Sequence, residues 1–463
     1  MKEADMRRSH FFPLLVLSHL HELTACLVFP LVLCPLTAAA QFESYGLVGR
    51  AVYSLATYGS KLYAGTDDGV YMQPIGQGTK DWSLLGLKGK RVRSVYPHSF
   101  GPIGYAITVG IERMPGDIDS TLIYCSRYSD TSWVPADDGI DRNELGGIMS
   151  IDGFPSPAIC GETFAAGGGR VYRGMSGVWE RVFDIGIGFV NVVKANSTTV
   201  SVMAGGETGI FAPYISLSRD KGASWITVLP NLGGDNACNS LAFDPADTTV
   251  VYAGMEGVVI KTTDGGYTWT QTLLAGTPYY FYALAIAQFT ETIFVSGSTN
   301  TGGFGLYSSN DGGKTWVRIV PTIQVDGALS MAIIPTVIPE SNILLIGTRS
   351  SGVIGYSFPF TSAGNDLTPG AHKLGNNYPN PFNPSTTIRY TIGGLRQVFV
   401  KLIMYDALGR DVKTIVSSRQ GPGTYEATWD GTNDAGVRLA SGTYVSRLLV
   451  GSSVSSHTVL LLK

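Results

Sequence analysis

Charge is scarce in this chain. Only 15% of its 463 residues are Asp, Glu, Lys or Arg, and the formal net charge is −3. That balance offers no electrostatic footprint for nucleic acid or for an anionic membrane surface. Cysteine is scarce too. Five are present, none in Cys-x-x-Cys spacing, which argues against a zinc ribbon or a dithiol redox motif. With six histidines and no His/Cys cluster, neither a metal site nor a cofactor is expected. No glycine-rich phosphate loop follows a strand, and no Gly-x-Ser-x-Gly nucleophile turn occurs. Glycine and aromatics are plentiful instead, with 58 Gly, 23 Tyr and 19 Phe. This is the composition of an all-β chain with many turns, and the length calls for two folded domains.

Residues 1–40 read as a signal peptide. Arg7 and Arg8 give a basic start, an apolar run is densest from Ala25 to Leu36, and Ala38-Ala39-Ala40 offers a small-residue cleavage site before Gln41. Pro30 and Pro35 interrupt the run, so it falls short of the roughly 18 uninterrupted apolar residues of a span. Cys34 follows Leu33, too bulky for a lipoprotein signal. The mature chain, from Gln41, is expected to have no membrane span and to retain Cys125, Cys160 and Cys238. These read as buried small hydrophobes, at least one of them unpaired.

One eight-residue pattern recurs three times. It reads Ser218-Arg-Asp220-Lys-Gly222-Ala-Ser-Trp225, then Thr262-Thr-Asp264-Gly-Gly266-Tyr-Thr-Trp269, then Ser309-Asn-Asp311-Gly-Gly313-Lys-Thr-Trp316. Asp and hydroxyl side chains can bond nearby backbone N–H groups, Gly supplies positive φ, and Trp packs into an apolar layer. The pattern resembles the Asp-box, or bacterial neuraminidase repeat. That resemblance implies the hairpin turn between the two outer strands of a β-propeller blade, a structural device rather than a binding site.

The tryptophans set the period. They fall at 82, 133, 179, 225, 269 and 316, with gaps of 51, 46, 46, 44 and 47 residues, about the length of a four-stranded blade. Inner strands are expected near Val52, Val92, Ile148, Val190, Leu241, Ala283 and Leu329. The seventh unit lacks a fourth strand. The stretch from Phe42 to Val52 aligns with Trp82 to Val92, so residues 41–49 are expected to complete the last blade. The fold class is therefore all-β: a seven-bladed β-propeller over 41–360, then a small Ig-like β-sandwich.

Chemistry is expected on the face opposite the box turns, in loops carried by a rigid scaffold. Glu112 and Asp117 lie in a blade-two insertion. Asp137 and Asp138 follow, with Asp141 and Glu144 in the same acidic loop. Glu207 and Glu256 occupy matching loops of blades four and five, Tyr279 and Tyr280 join blades five and six, and Arg349 lies in blade seven. Exposed tyrosines beside carboxylates would suit a sugar. Glu112, Asp117, Glu207 and Glu256 are the candidate catalytic residues, and Tyr279, Tyr280, Asp137, Asp138 and Arg349 the candidate ligand contacts. Sialidases of the resembling family carry an Arg-Ile-Pro near the start, which is absent here, and no arginine triad is evident. Three readings stay open: a non-enzymatic module binding a glycan or a surface protein, a polysaccharide hydrolase using a carboxylate pair, and a structural surface-layer component with no funnel able to hold a ligand.

A polar linker is expected over 361–376, and a second domain over 377–463. Its markers are Tyr378-Pro379-Asn380-Pro381-Phe382-Asn383-Pro384, Tyr405-Asp-Ala-Leu-Gly409, Trp429-Asp430-Gly431, Gly442-Thr-Tyr444 and the terminal Lys463. Short alternating strands over this length indicate a β-sandwich. The segment resembles the C-terminal sorting domain of type IX secretion cargo, and its Trp-Asp-Gly pattern resembles the Ig-like domain of flagellar hook-capping proteins. The first resemblance implies the type IX machinery as partner and a secreted or outer-membrane-surface location.

Overall fold

Short apolar runs bounded by glycine become strands throughout, and no helix forms among the described residues. The computed structural model describes residues 41–75, 80–100, 104–117, 120–126, 132–154, 162–175, 177–228, 237–245, 247–274, 279–287, 292–334, 341–359, 372–393, 398–407, 409–450 and 453–462. The signal-like segment 1–40, Cys160, Lys463 and most of the expected linker lie outside them.

Seven four-stranded antiparallel sheets are described between residues 41 and 359. These are the blades of a β-propeller. Their inner strands are Val52–Tyr58, Arg91–Phe100, Ser150–Phe154, Gly188–Asn196, Ser240–Phe243, Tyr280–Ile286 and Ala328–Ile334. The second strand of blade six, Ile293–Ser298, is buried at every residue. A strand covered on both faces by neighbouring blades loses the alternation of a half-exposed one. The seventh blade takes its outer strand from the other end of the chain. Gln41–Ser44 pairs antiparallel with Val353–Pro359, and Phe42 lies opposite Tyr356.

Blade joins nearest the channel share one device. A serine near the start of an inner strand faces a glycine on the second strand, and the next blade's inner strand crosses over that glycine. Ser54 pairs with Gly65, Ser94 with Gly110, Ser240 with Gly254 and Ser330 with Gly347. The serines then clip the crossing backbone. Val95 N–H donates to Ser54 at 3.1 Å and Ile151 N–H to Ser94 at 2.8 Å. Ser240 donates to Phe281 C=O at 2.8 Å, and Ser330 to Val52 C=O at 3.0 Å. Ser150 makes the same clip, accepting from Val193 N–H at 3.1 Å. The glycines are needed for the approach: a Cβ on Gly65 would lie 2.8 Å from Val92 O, and one on Gly347 would lie 2.6 Å from Val52 O.

The outer rim is held in two ways. In blades one to three the Trp indole reaches back to the preceding blade: Trp82 to Tyr45 C=O (2.6 Å), Trp133 to Leu85 C=O (3.2 Å) and Trp179 to Ala136 C=O (2.6 Å). In blades four to six the indole instead closes its own turn, Trp225 on Gly222, Trp269 on Gly266 and Trp316 on Gly313. Within those turns Ser218, Thr262 and Ser309 each donate to the turn aspartate and accept from the turn glycine N–H. Gly222, Gly266 and Gly313 have φ of +85°, +106° and +87°. These glycines also press on the preceding blade, at Phe164, Met203 and Tyr252.

The C-terminal domain is a β-sandwich. One sheet holds Lys373–Tyr378, Thr386–Ile392 and Gly423–Trp429. The other is ordered Asp411–Gln420, Val398–Tyr405, Gly442–Val450, Ser453–Leu461. Its first strand begins inside the stretch expected as linker. Leu374 and Asn377 turn inward there, and Asn377 is fixed by bonds to Pro379 C=O and the Thr386 hydroxyl. Trp429 centres the core, 1% exposed, between Phe382 and Tyr444 at ring distances of 5.2 and 5.1 Å. Asp430 accepts from the amide and hydroxyl of Thr432, and Gly431 sits at φ +70°.

The cysteines correct one expectation. Cys125 is disulfide-bonded rather than a buried thiol, which no sequence spacing signals. Cys238 is free and fully buried, and burial pushes its thiol up to about 12.

Two outcomes follow. Gly347→Ala drives a Cβ into a backbone carbonyl and should cost about 1–3 kcal/mol, read by chemical denaturation. Gly146→Ala, with nothing within 4 Å of its Cβ position, should cost little by the same measurement. The turn aspartates set an acid limit. The Ser224 hydroxyl and amide, with Ser218, hold Asp220 down to about 2. At Asp311 burial pulls upward, but bonds from Thr315 and Ser309 still hold it at about 2. Bonds from Thr268 and Thr262 hold Asp264 below the usual carboxylate range as well. An unfolded Asp titrates near about 3.9, so this stabilisation is complete above that pH and disappears as pH falls towards 2. The thermal midpoint should drop across that window. A triple Asp→Asn variant at 220, 264 and 311 should show a shallower drop, and an unchanged slope would refute the assignment.

Candidate functional site

The inner strands of five blades carry a register shift at one position, between Val52/Ser54, Val92/Ser94, Val190/Val192, Tyr280/Ala283 and Ala328/Ser330. In blades three and five the ladder starts just after the equivalent residue, at Ser150 and Ser240. A bulge takes a residue out of the ladder and re-aims its side chain. The seven residues so placed are Tyr53, Arg93, Met149, Asn191, Asn239, Tyr282 and Leu329. All seven line one cavity of about 650 Å3 along the propeller axis. They form a ring at the end where the inner strands begin, opposite the Asp-containing turns.

The ring is chemically uneven. Arg93 stacks over Tyr53 with its guanidinium carbon 4.6 Å from the ring centroid, and Arg91 adds a second cation at 5.8 Å. Across the mouth, Tyr282 stacks on Tyr280, with centroids 6.0 Å apart and 11° between planes. Burial raises the Tyr282 phenol; Arg349 opposes that, Tyr280 and Glu256 add to it, and Arg93 opposes it. Between these sectors Asn191 Nδ2 donates to Asn239 Oδ1 at 3.2 Å. Blade four contributes an apolar lip of exposed Ile187, Phe189, Ile210 and Phe211, and Phe189 also lines the cavity.

The candidates read from sequence distribute differently. Glu112 faces Arg91 at 3.2 Å and Arg93 at 3.4 Å, so two guanidinium groups neutralise it. Asp117 caps its own turn, accepting from Met114 N–H at 2.8 Å. Asp137 is buried: it accepts from Leu122 N–H and holds Arg142, which makes it a structural loop anchor instead of a ligand contact. Asp138 is exposed, and its carbonyl receives Trp179 N–H at 2.7 Å. Tyr279 is also a correction. It is 6% exposed, its hydroxyl is bonded to Phe304 C=O and Arg318, and its ring covers Gly305, so it is core. Tyr280 remains at the mouth, its hydroxyl accepting from Asn300 at 3.0 Å. Glu207 is the penultimate residue of the second strand of blade four, opposite Phe189, Glu256 bridges by main chain to Tyr280, and Arg349 is an exposed turn residue of blade seven.

None of the four candidate catalytic carboxylates lines the cavity. Among the described residues its single acidic lining residue is Asp152, at the opposite end, ion-paired to Lys194 at 3.4 Å and accepting from Gly153 and Ala195 N–H. Among the described residues no group of His, Cys, Asp and Glu could hold a metal, and no helix is long and apolar enough to cross a membrane.

Comparison with known proteins supports the two folds. Residues 396–448 match the FlgD Ig-like domain family. A xyloglucanase of Hypocrea jecorina (strain QM6a) is 25% identical over 200 residues, which is 43% of this chain and 19% of that enzyme. The WD40 repeats of RRP9 overlay with a TM-score of 0.50 at 11% identity, covering 68% of this chain and 97% of that one. At that identity the likeness speaks for the propeller fold alone. PorZ, a surface component of the type IX secretion system of Porphyromonas gingivalis, covers 89% of this chain and 75% of its own at 12% identity, with a TM-score of 0.33.

Proposed function

We propose that this protein is an exported Asp-box propeller that binds a β-linked glucan or related polysaccharide at the bulge ring and does not cleave it. One observation carries the reading: Tyr53 and Tyr282, with Asn191, Asn239 and Arg93, converge on one axial cavity. Aromatic faces offer stacking platforms to sugar rings, and amides pair with hydroxyls. The cavity volume falls within the roughly 300–1,000 Å3 of small-ligand sites. The xyloglucanase similarity supports a β-glucan as the first ligand class to test, and also keeps hydrolysis as the rival reading. Against hydrolysis stands the carboxylate arrangement. A glycosidase needs two carboxyl groups about 5–10 Å apart across the bond. Here Glu112 is neutralised by two arginines, Asp117 serves its own turn, and Glu207 and Glu256 belong to different blades.

Export is assigned to the two ends. Residues 1–40 serve as signal peptide. The C-terminal sandwich serves as a type IX sorting domain, a reading supported by the Tyr378–Pro384 run, the Trp429-Asp430-Gly431 turn and the FlgD Ig-like match. The product is secreted or held on the outer-membrane surface.

Binding to xyloglucan and cello-oligosaccharides, with parallel assay of released reducing ends, tests the first part. Binding without release is expected. Tyr282→Ala and Tyr280→Ala should each weaken affinity about tenfold, a loss of about 1.4 kcal/mol. Sugar release would establish the hydrolase and move attention to Glu112, Asp117, Glu207 and Glu256. For export, a chain lacking residues 373–463 should accumulate in the periplasm, and its normal appearance outside the cell would refute the sorting role.

A further inference from the structure

We propose that the bulge ring recognises the end of a glycan chain and not its middle. This inference rests on the glucan-binding reading above and concerns the geometry of that same site. The cavity is walled by all seven inner strands. Its wall is also closed by bonds. Serine clips join blades one to two, two to three, three to four, five to six and seven to one. Asn191 to Asn239 joins four to five, and Phe294 packs with Ala328 and Leu344 between six and seven. A catalytic or binding cleft that takes a polymer mid-chain is open at two sides. Among the described residues, inner strands surround this lumen on every side.

Depth adds to the argument. In blade one the lining runs from Tyr53 to Thr57, a descent of about 13 Å at roughly 3.3 Å per residue. A strand laid across the rim would touch Tyr280 and the blade-four lip and leave Asn191, Asn239 and Leu329 without contact. A terminal segment entering along the axis reaches all of them. Tyr53 and Tyr282 then flank the entering sugar, and the amide pair lies beside its hydroxyls. Arg93 shares Glu112 with Arg91, so this sector of the ring keeps a net positive charge.

The test is calorimetric titration of the mature full-length chain with two probes, a xyloglucan heptasaccharide and xyloglucan polymer of known mean length. End recognition gives one protein bound per chain for both probes, with per-chain affinities within about threefold, or roughly 0.7 kcal/mol. Several proteins per polymer chain would overturn the inference and leave glucan binding standing. No heat with either probe would overturn both. The variant Leu329→Trp fills the lumen below the rim and leaves Tyr280 in place. It should weaken the heptasaccharide about tenfold or more; unchanged affinity would place binding on the rim and sink the proposal. Should that variant fail to fold, the wild-type stoichiometry decides alone.

Discussion

The contact on which this propeller depends is the crossing of one inner strand over a glycine of the preceding blade. At Gly65, Gly110, Gly254 and Gly347 the neighbouring carbonyl comes within 2.6–2.9 Å of where a Cβ would be. The serine opposite each glycine then bonds the crossing backbone. These are buried donors and acceptors, and each left unmade would cost about 1–3 kcal/mol. The clip therefore fixes the spacing between blades near the axis. Sheets need not be long to form a ring once this spacing is set: the inner strand of blade five has only four residues, Ser240–Phe243. Closure by Gln41–Ser44 completes the same circuit, since Ser330 clips Val52 across the chain ends.

This arrangement separates scaffold from variable chemistry. The residue before each clip stands outside the ladder, so its identity is unconstrained by pairing. Tyr, Arg, Met, Asn, Asn, Tyr and Leu occupy the seven equivalent places. The residue after it is small, Ser or Ala in six of the blades, because the next blade must approach. Blade four, with Val192, is the exception, and there the thiol of Cys238 lies where the space opposite Gly205 is filled. The outer rim shows comparable economy. An indole N–H is satisfied either by the previous blade or by its own turn. Only the turns of the second kind carry the full hydroxyl-x-Asp-x-Gly pattern, and in them the glycine also presses on the preceding blade. Blades one and three, which keep the tryptophan without the turn pattern, thus use a different joint.

The ring was legible from sequence because it is periodic. Tryptophan spacing, three near-identical turns and the alignment of Phe42 with Trp82 all repeat information that each blade needs. The mouth was not legible, for the opposite reason. Tyr279-Tyr280-Phe281-Tyr282 is a run of four aromatics whose facing depends on the bulge, and a shift of one residue exchanges core for lumen. Reading the first two as exposed placed Tyr279 at the surface, whereas Tyr279 and Phe281 are buried and Tyr282 lines the cavity. A signal did exist in the repeated grammar of an apolar residue, one variable residue and a small one, as in Val52-Tyr53-Ser54 and Val92-Arg93-Ser94. It marks the seven positions without saying where they point. Lys373–Tyr378 escaped notice because Gly and Asn mask a strand that its partner imposes. The Cys125 disulfide left no trace in spacing.

Charge placement bears on the two chemistries considered for this fold. Acid–base cleavage of a glycosidic bond requires a carboxyl group that keeps its proton, usually through burial away from cations, beside a second that stays ionised. At this mouth the cations come first. Arg91 and Arg93 flank Glu112 at 3.2 and 3.4 Å, one guanidinium on each carboxylate oxygen. Arg349 and Arg93 both act on Tyr282, at the centre of the aromatic sector. The one acid that lines the cavity among the described residues, Asp152, sits at the far end with Lys194 and two backbone amides. A lumen so arranged offers amides and aromatic faces to a hydroxyl-rich ligand, while Glu112 and Asp152 are engaged with cations.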